Sequence, residues 1–215
     1  MQWNIFRYIA DFTHLASIVL LLYKMFSRKT CVGVSLKTHI LYLSIYLFRY
    51  CNPYLFDPPL YNIFFKFTYI ISSIVIIALI LTKYKRTYEK RHDNFRIIII
   101  YIICLPLAYF TSPSNRIWQL TNCYSLWLEA FAILPQLFLI SRSRKVDVMN
   151  KEYIFLLSIY RLFYLINWIY KYFTETGSTA TYVWITGILQ TIIYSDFIYT
   201  YIKMKVQGGE FELPY

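Results

Sequence analysis

Apolar residues in this chain run in long blocks divided by short polar stretches. Seven blocks stand out, at residues 5–25, 38–56, 61–82, 96–111, 117–140, 153–173 and 181–202. Each approaches the ~20 residues that a helix needs to cross the hydrocarbon of a bilayer. The pattern therefore predicts an all-α integral membrane protein with seven transmembrane helices. Prolines punctuate it. Pro53 and the Pro58-Pro59 pair end the second helix, because proline lacks a backbone N–H and restricts the residue before it. Leu134-Pro135-Gln136 predicts a break within the fifth helix, of the kind that frames cavities in membrane proteins. The loops are short, which makes 1–203 one membrane domain and 204–215 a short tail. Seven spans also fit a 3+1+3 plan, with helices 1–3 and 5–7 as parallel repeats and helix 4 as linker, although the first half has no counterpart of Pro135-Gln136.

Composition agrees with this reading. Of 215 residues 58% are hydrophobic, with 23 Tyr and 17 Phe, too apolar for a soluble domain of this size. The formal charge of +11 matters through its positions. No basic stripe or motif of a nucleic-acid-binding protein is present, which argues against nucleic acid as a partner. Instead, sixteen of the 22 Lys and Arg residues fall on one side of the spans: Lys24, Arg28, Lys29 and Lys37; Lys83, Lys85, Arg86, Lys90, Arg91 and Arg96; Arg142, Arg144, Lys145 and Lys151; Lys203 and Lys205. The positive-inside rule makes that side cytosolic, with a luminal N-terminus and a cytosolic C-terminus. The first block carries its cations after the apolar run, so it is expected to remain a span and not to be removed as a leader. Cys31, Cys51, Cys104 and Cys123 lack metal-site or redox spacing and read as small apolar residues in or near spans. No metal or other cofactor is expected.

The other six cations, Arg7, Arg49, Lys66, Arg116, Arg161 and Lys171, fall in the luminal half or near the midplane. Lys66 and Arg116 are expected to snorkel to the luminal interface. The remaining four sit inside or at the edge of spans. A charge at the centre of a spanning helix costs ~2.5–3.5 kcal/mol on insertion scales, so four facing lipid would cost about 10 kcal/mol. They are therefore expected to line a polar interior open to the lumen. With only Asp11 and Glu129 as buried acids in the same half, that interior is electropositive and suits an anionic ligand.

Helical spacing aligns the polar groups. Arg7, Asp11 and His14 share one face of the first helix, and Arg161, Tyr164, Trp168 and Lys171 share one face of the sixth, flanked by Tyr160 and Asn167. The second helix offers Arg49, Tyr50 and Asn52; the fifth offers Gln119, Glu129 and Gln136; the seventh offers Gln190 and Asp196. The guanidinium fork suits a carboxylate, and an acidic peptide end would match three or four cations. Trp168 would supply an apolar wall. Asp11 is expected to pair with Arg7, four residues away. His14 reads equally as a helix–helix hydrogen-bonding residue and as a pH switch, since imidazole titrates at about 6.5. Glu129 would partner His14 or Tyr160 in a proton relay, and Asp196 reads equally as a structural acid and as a coupling element. No hydrolytic motif is present, and an enzyme is not expected.

Several stretches carry a resemblance: Asn4-Ile-Phe-Arg7, Asp11-Phe-Thr-His14-Leu-Ala, Arg49-Tyr50, Leu128-Glu129-Ala-Phe-Ala-Ile-Leu-Pro-Gln-Leu137, Tyr160-Arg161-Leu-Phe-Tyr164-Leu-Ile-Asn167-Trp168-Ile and Gln190-Thr-Ile-Ile-Tyr-Ser-Asp196-Phe. From about residue 3 to 204 the chain resembles the KDEL receptors, the endoplasmic-reticulum protein-retention receptors. The resemblance implies a seven-span fold similar to SWEET and PQ-loop transporters. It also implies capture of escaped resident proteins by their C-terminal tetrapeptide signal in the mildly acidic Golgi, release in the endoplasmic reticulum, and return traffic by the COPI coat. Arg7, Arg49, Arg161 and Lys171 would then line the signal pocket, with Arg49 clamping the terminal carboxylate and Arg7 and Lys171 taking the acidic side chains. His14, Glu129 and Tyr160 would form the pH-sensing group, and Asp196 would serve recycling.

The departures from the family pattern shape the expectations. Gln119 stands where the family usually has Glu, Asn122 where it has Trp, Asn52 replaces an Asp and Lys171 replaces an Arg. The neutral Gln119 weakens the demand for a basic first residue in the signal. The tail reads Lys203-Met-Lys205-Val-Gln-Gly-Gly-Glu-Phe-Glu, without the family's lysine-rich run, so Lys203 and Lys205 alone would recruit the coat. Two other classes stand beside this reading. One is a SWEET-like transporter of small solutes, for which four cations are poorly matched to a neutral sugar. The other is an anion-binding structural subunit.

Overall fold

The computed structural model describes residues 4–50, 60–143, 148–174 and 181–207. Regular structure among them is helical: α1 (Ile5–Arg28), α2 (Leu36–Tyr50), α3 (Leu60–Leu81), a 3-10 turn (Lys85–Thr87), α4 (Ile97–Thr111), α5 (Ile117–Phe131), α6 (Leu134–Ser143), α7 (Val148–Thr174) and α8 (Thr181–Gln207). The helices run past the ends of the apolar blocks, α1 to Arg28, α7 back to Val148 and α8 on to Gln207. Lys, Arg, Met and Gln are good helix formers and carry each helix beyond its hydrophobic stretch. Cys51, Asn52, Pro53 and Pro58-Pro59 lie outside the described residues, as does the tail from 208 onward.

Four segments among the described residues are long and apolar enough to cross a membrane: α1, α3, the α5–α6 pair and the Glu152–Thr174 part of α7; α4 is a shorter apolar helix. Their outward surface is as hydrophobic as their core. Phe12 and Val19 on α1, Ile71 and Ile74 on α3, and Ile102, Leu105 and Phe110 on α4 are all exposed, Phe110 to 82%. Apolar surface of this extent is foreign to a soluble monomer, and a helix apolar on every side, as α4 is, belongs in lipid or in a large core. The chain is an all-helical membrane protein.

The helices form two compact units, residues 1–29 with 140–215, and residues 30–139. In the first, α1 packs on α7 and α7 on α8. Asn4 meets Asn167, His14 meets Tyr160 and Lys24 forms an ion pair with Glu152, so α1 and α7 run antiparallel. The Asn4 side chain caps α1 by accepting from the Arg7 backbone N–H at 3.0 Å. Ala10, Leu21, Met25, Ile154 and Leu157 are buried in this unit.

In the second unit α2 packs on α3 and α5, and α4 packs on α5. The predicted break in the fifth apolar block is present: α5 ends at Phe131 and α6 begins at Leu134. Pro135 sits in the first turn of α6, where its missing N–H has no helical partner to lose. Gln136 has no exposed surface. Its Oε1 accepts from the Ser35 backbone N–H at 2.8 Å, and its Nε2 donates to the Gly33 carbonyl at 2.7 Å. Ser35 in turn caps α2, its Oγ accepting from the Thr38 N–H at 3.2 Å. Gly33 has φ 73°, a left-handed conformation that glycine adopts without steric cost. One buried amide thus fixes the turn into α2.

Gln136→Leu keeps the volume and strands the Ser35 donor and the Gly33 acceptor in a dry interior. At ~1–3 kcal/mol for each of the two orphaned groups, the variant should lose about 2–6 kcal/mol of stability. Thermal or denaturant unfolding in micelles will read this; unfolding indistinguishable from wild type contradicts the assigned role.

Candidate functional site

The antiparallel pairing of α1 and α7 brings most of the sequence-predicted polar residues of those two helices together. The Asn4 side chain donates to Asn167 Oδ1 at 2.6 Å. The Arg7 guanidinium lies 3.8 Å from the Asp11 carboxylate, as the spacing of four predicts, and the Tyr164 hydroxyl donates to the same carboxylate. The next turn stacks the His14 imidazole on the Tyr160 ring, with centroids 4.3 Å apart and planes within 8°. The Arg161 guanidinium sits over the Tyr160 ring at 4.5 Å, a cation–π geometry. Asp11, His14, Tyr160 and Asn167 are buried, as are Arg161 at 6% and Lys171 at 9% exposure. Among the described residues, α1 and α7 thus bring Arg7, Asp11 and Tyr164 together one turn from His14, Tyr160 and Arg161, with Lys171 buried further along α7.

Trp168, on α7, is positioned by close packing on α8. A Cβ built on Gly187 would lie 2.0 Å from the Trp168 ring, so only glycine lets the indole approach the α8 backbone. Gln190, also on α8, is buried. The side chains of Asp196, Lys203 and Lys205 lie outside the described residues.

In the other unit α2 and α5 form a second charged group. The Arg49 guanidinium pairs with Glu129, and its Nε donates to Ser125 Oγ at 3.2 Å. Ser125 itself donates to the Asn122 carbonyl at 2.6 Å. Sequence reasoning did not name Ser125, although its place four residues before Glu129 puts both on one face of α5. Tyr50 stacks on Tyr46 at 6.1 Å, and Lys66 reaches over the Tyr50 ring at 5.8 Å. Arg116 lies 5.8 Å from the Trp118 ring. Gln119 holds a buried Oε1 that has no hydrogen-bond partner. The described cysteines of this unit, Cys31, Cys104 and Cys123, are buried and free, and the described residues contain no cluster of His, Cys, Asp and Glu that would hold a metal ion.

Glu129→Ala tests the α2–α5 ion pair. Removing one partner of a wholly buried pair costs ~3–5 kcal/mol. Arg49 keeps 22% side-chain exposure, so a loss of about 2–3 kcal/mol is expected here. The double variant Arg49→Leu/Glu129→Ala should recover part of it. Unfolding of purified protein measures both, and equal stability of the single variant and wild type contradicts the pairing.

Comparison with known proteins places these features in a family. The sequence profile of the ER lumen protein retaining receptors matches residues 30–171. The ER lumen protein-retaining receptor of Entamoeba histolytica is 39% identical over 214 residues, covering 100% of both chains. The receptor of the same name from Petunia hybrida is 40% identical over 213 residues, with 98% of this chain and 99% of its own covered. That of Drosophila melanogaster is 35% identical over 211 residues, again covering 98% and 99%. By a profile matching more than half its length and by relatives aligned end to end, this chain belongs to the ER lumen protein retaining receptor family, a family of receptors and not of enzymes.

Proposed function

We propose that this protein is a pH-dependent receptor for the C-terminal KDEL/HDEL-like tetrapeptide of soluble proteins of the endoplasmic-reticulum lumen, capturing them in the Golgi and returning them by COPI-coated retrograde transport. Residues 1–203 act as one seven-span domain on the 3+1+3 plan, the α5–α6 pair counting as one span. The N-terminus is luminal, and the short tail meets the coat on the cytosolic face through Lys203 and Lys205, with Asp196 coupling ligand binding to recycling. The observation that carries the reading is the meeting of α1 and α7, where Arg7 and Tyr164 converge on the buried Asp11, buried His14 stacks on Tyr160 beside Arg161, and Lys171 is buried further along α7. Cations held within a membrane domain suit an anionic ligand, whose charge they would stabilise there.

In this reading Arg7 and Lys171 take the acidic side chains of the signal, and Arg49 and Tyr50 hold its terminal carboxylate. Trp168 forms an apolar wall, and Tyr160, Tyr164, Arg161 and Asn167 complete the pocket. The ligand carboxylate competes with Glu129 for Arg49. Protonation of His14 adds a positive charge to the cluster, so an anionic peptide binds more tightly as pH falls below the imidazole pKa and leaves as pH rises above it. One coupled proton changes affinity at most about tenfold per pH unit. A steeper response requires a second group, for which Glu129 is the choice.

His14→Ala tests the switch. Binding of an acidic tetrapeptide by the purified variant, at mildly acidic and at neutral pH, should show most of the pH dependence gone; wild-type pH dependence in the variant removes His14 from this role. Gln119 governs a separate property. Its amide oxygen accepts from a neutral donor as well as from an ammonium, so peptides differing only at the first position should differ less than about tenfold in affinity. A stronger preference for lysine over an uncharged residue contradicts the role given to Gln119.

A further inference from the structure

Residues 82–96 connect α3 to α4 and carry six cations, Lys83, Lys85, Arg86, Lys90, Arg91 and Arg96, against two acids, Glu89 and Asp93. All six cations are exposed. The acids are turned the other way. Asp93, 2% exposed, accepts from Ser35 Oγ at 2.9 Å, from the Tyr88 hydroxyl at 2.6 Å and from the Lys37 backbone N–H at 3.4 Å. Glu89 accepts from the Gly33 N–H at 2.9 Å. Burial, then the hydrogen bond to Asp93, push the Tyr88 pKa far above its usual range, so this hydroxyl remains a donor at neutral pH. Thr87 Oγ1 accepts from the Cys31 N–H at 3.1 Å, and Tyr84 is buried beneath Lys83, whose Nζ lies 5.6 Å from its ring.

A basic loop between spans ordinarily needs no more explanation than membrane topology. This one differs in two respects. Both acids that would neutralise it have other partners: Asp93 accepts from Ser35, the Lys37 N–H and Tyr88, and Glu89 accepts from the Gly33 N–H and lies 3.6 Å from His92 Nδ1. Those same bonds, with the 3-10 turn of Lys85–Thr87, tie the strap down as a fixed frame. The cations are thus presented outward on a prearranged support, which lowers the ordering cost of binding. The strap leaves α3 at Leu81 and re-enters α4 at Ile97, so it cannot move away from the membrane surface that those apolar helices define.

We propose that the 82–96 strap is a binding site for a polyphosphorylated phospholipid headgroup in the leaflet against which it lies. Arg86, Arg91 and Arg96 suit phosphate through their planar forks and Lys83, Lys85 and Lys90 as point charges. Cations fixed close together favour a headgroup bearing several charges over the same charge spread among monovalent lipids, and juxtamembrane clusters of this size are suited to such lipids. The site is independent of the peptide pocket and does not rest on the retrieval reading.

The test uses the full chain in nanodiscs containing phosphatidylcholine alone, phosphatidylserine, or phosphatidylinositol bisphosphate at matched total charge, with retained lipid counted by native mass spectrometry. The strap variant Lys85→Gln/Arg86→Gln/Arg91→Gln is compared with Arg28→Gln/Lys29→Gln/Arg142→Gln, which removes the same charge elsewhere. Wild type and the control variant should retain the bisphosphate lipid at least about tenfold more strongly than phosphatidylserine. The strap variant should lose that preference with its melting temperature unchanged. Equal retention of the two anionic lipids, or equal loss in both variants, overturns the site. Soluble inositol phosphate binding as tightly as the lipid overturns the membrane source. An acidic peptide displacing the lipid at equal charge assigns the strap to a protein partner instead.

Discussion

An ionised side chain inside a bilayer has no water to solvate it, so the helices that carry charge must meet the helices that carry its partners. That constraint organises the parts of this chain that packing alone leaves undetermined. Leu, Ile and Phe satisfy lipid as well as they satisfy one another, and Ile102, Leu105 and Phe110 face outward without cost. Asp11 does not have that freedom; it accepts from Tyr164 on α7, and with the Asn4–Asn167 bond this fixes α1 against α7 at one register. Arg49 with Glu129 and Ser125 does the same for α2 and α5. Gln136 settles the entry to α2 by the same logic applied to backbone donors and acceptors.

The ion pairs among these contacts are poor candidates for stability devices. Replacing a buried ion pair by well-packed apolar residues is often neutral or stabilising, and α4 is built without any. What the charged helices provide is a fixed arrangement of charged and aromatic side chains. Tyr160 sandwiches between His14 and Arg161, and the closeness of Gly187 seats Trp168. A ligand meeting such a cluster has little to reorganise. Membership of a retention-receptor family is the ground on which that arrangement is proposed as a ligand site.

Legibility from sequence followed the range of each interaction. The Arg7–Asp11 pair depends on helical spacing within one block and was readable from it. The break before Pro135 was readable from the triplet itself. The duty of Gln136 was not, because its partners Gly33 and Ser35 lie about a hundred residues away and are backbone atoms, which carry no sequence signal. Asp93 and Glu89 were passed over for a related reason: within a basic loop they read as neutralising charges, whereas they turn inward to cap and brace. Gly187 carried no local turn pattern, and its need for a missing Cβ appears only with Trp168 against it.

The most direct test of the central claim, that the cations of the site bind a ligand carboxylate, is equilibrium binding of an acidic tetrapeptide with a free C-terminus beside its C-terminally amidated twin, on purified protein at mildly acidic pH. The two peptides differ by one charge and little else. A charge-assisted hydrogen bond of ~1.5–3 kcal/mol predicts that amidation weakens binding by about 10- to 100-fold. Equal affinity for the two forms, or binding of neither, would contradict the account.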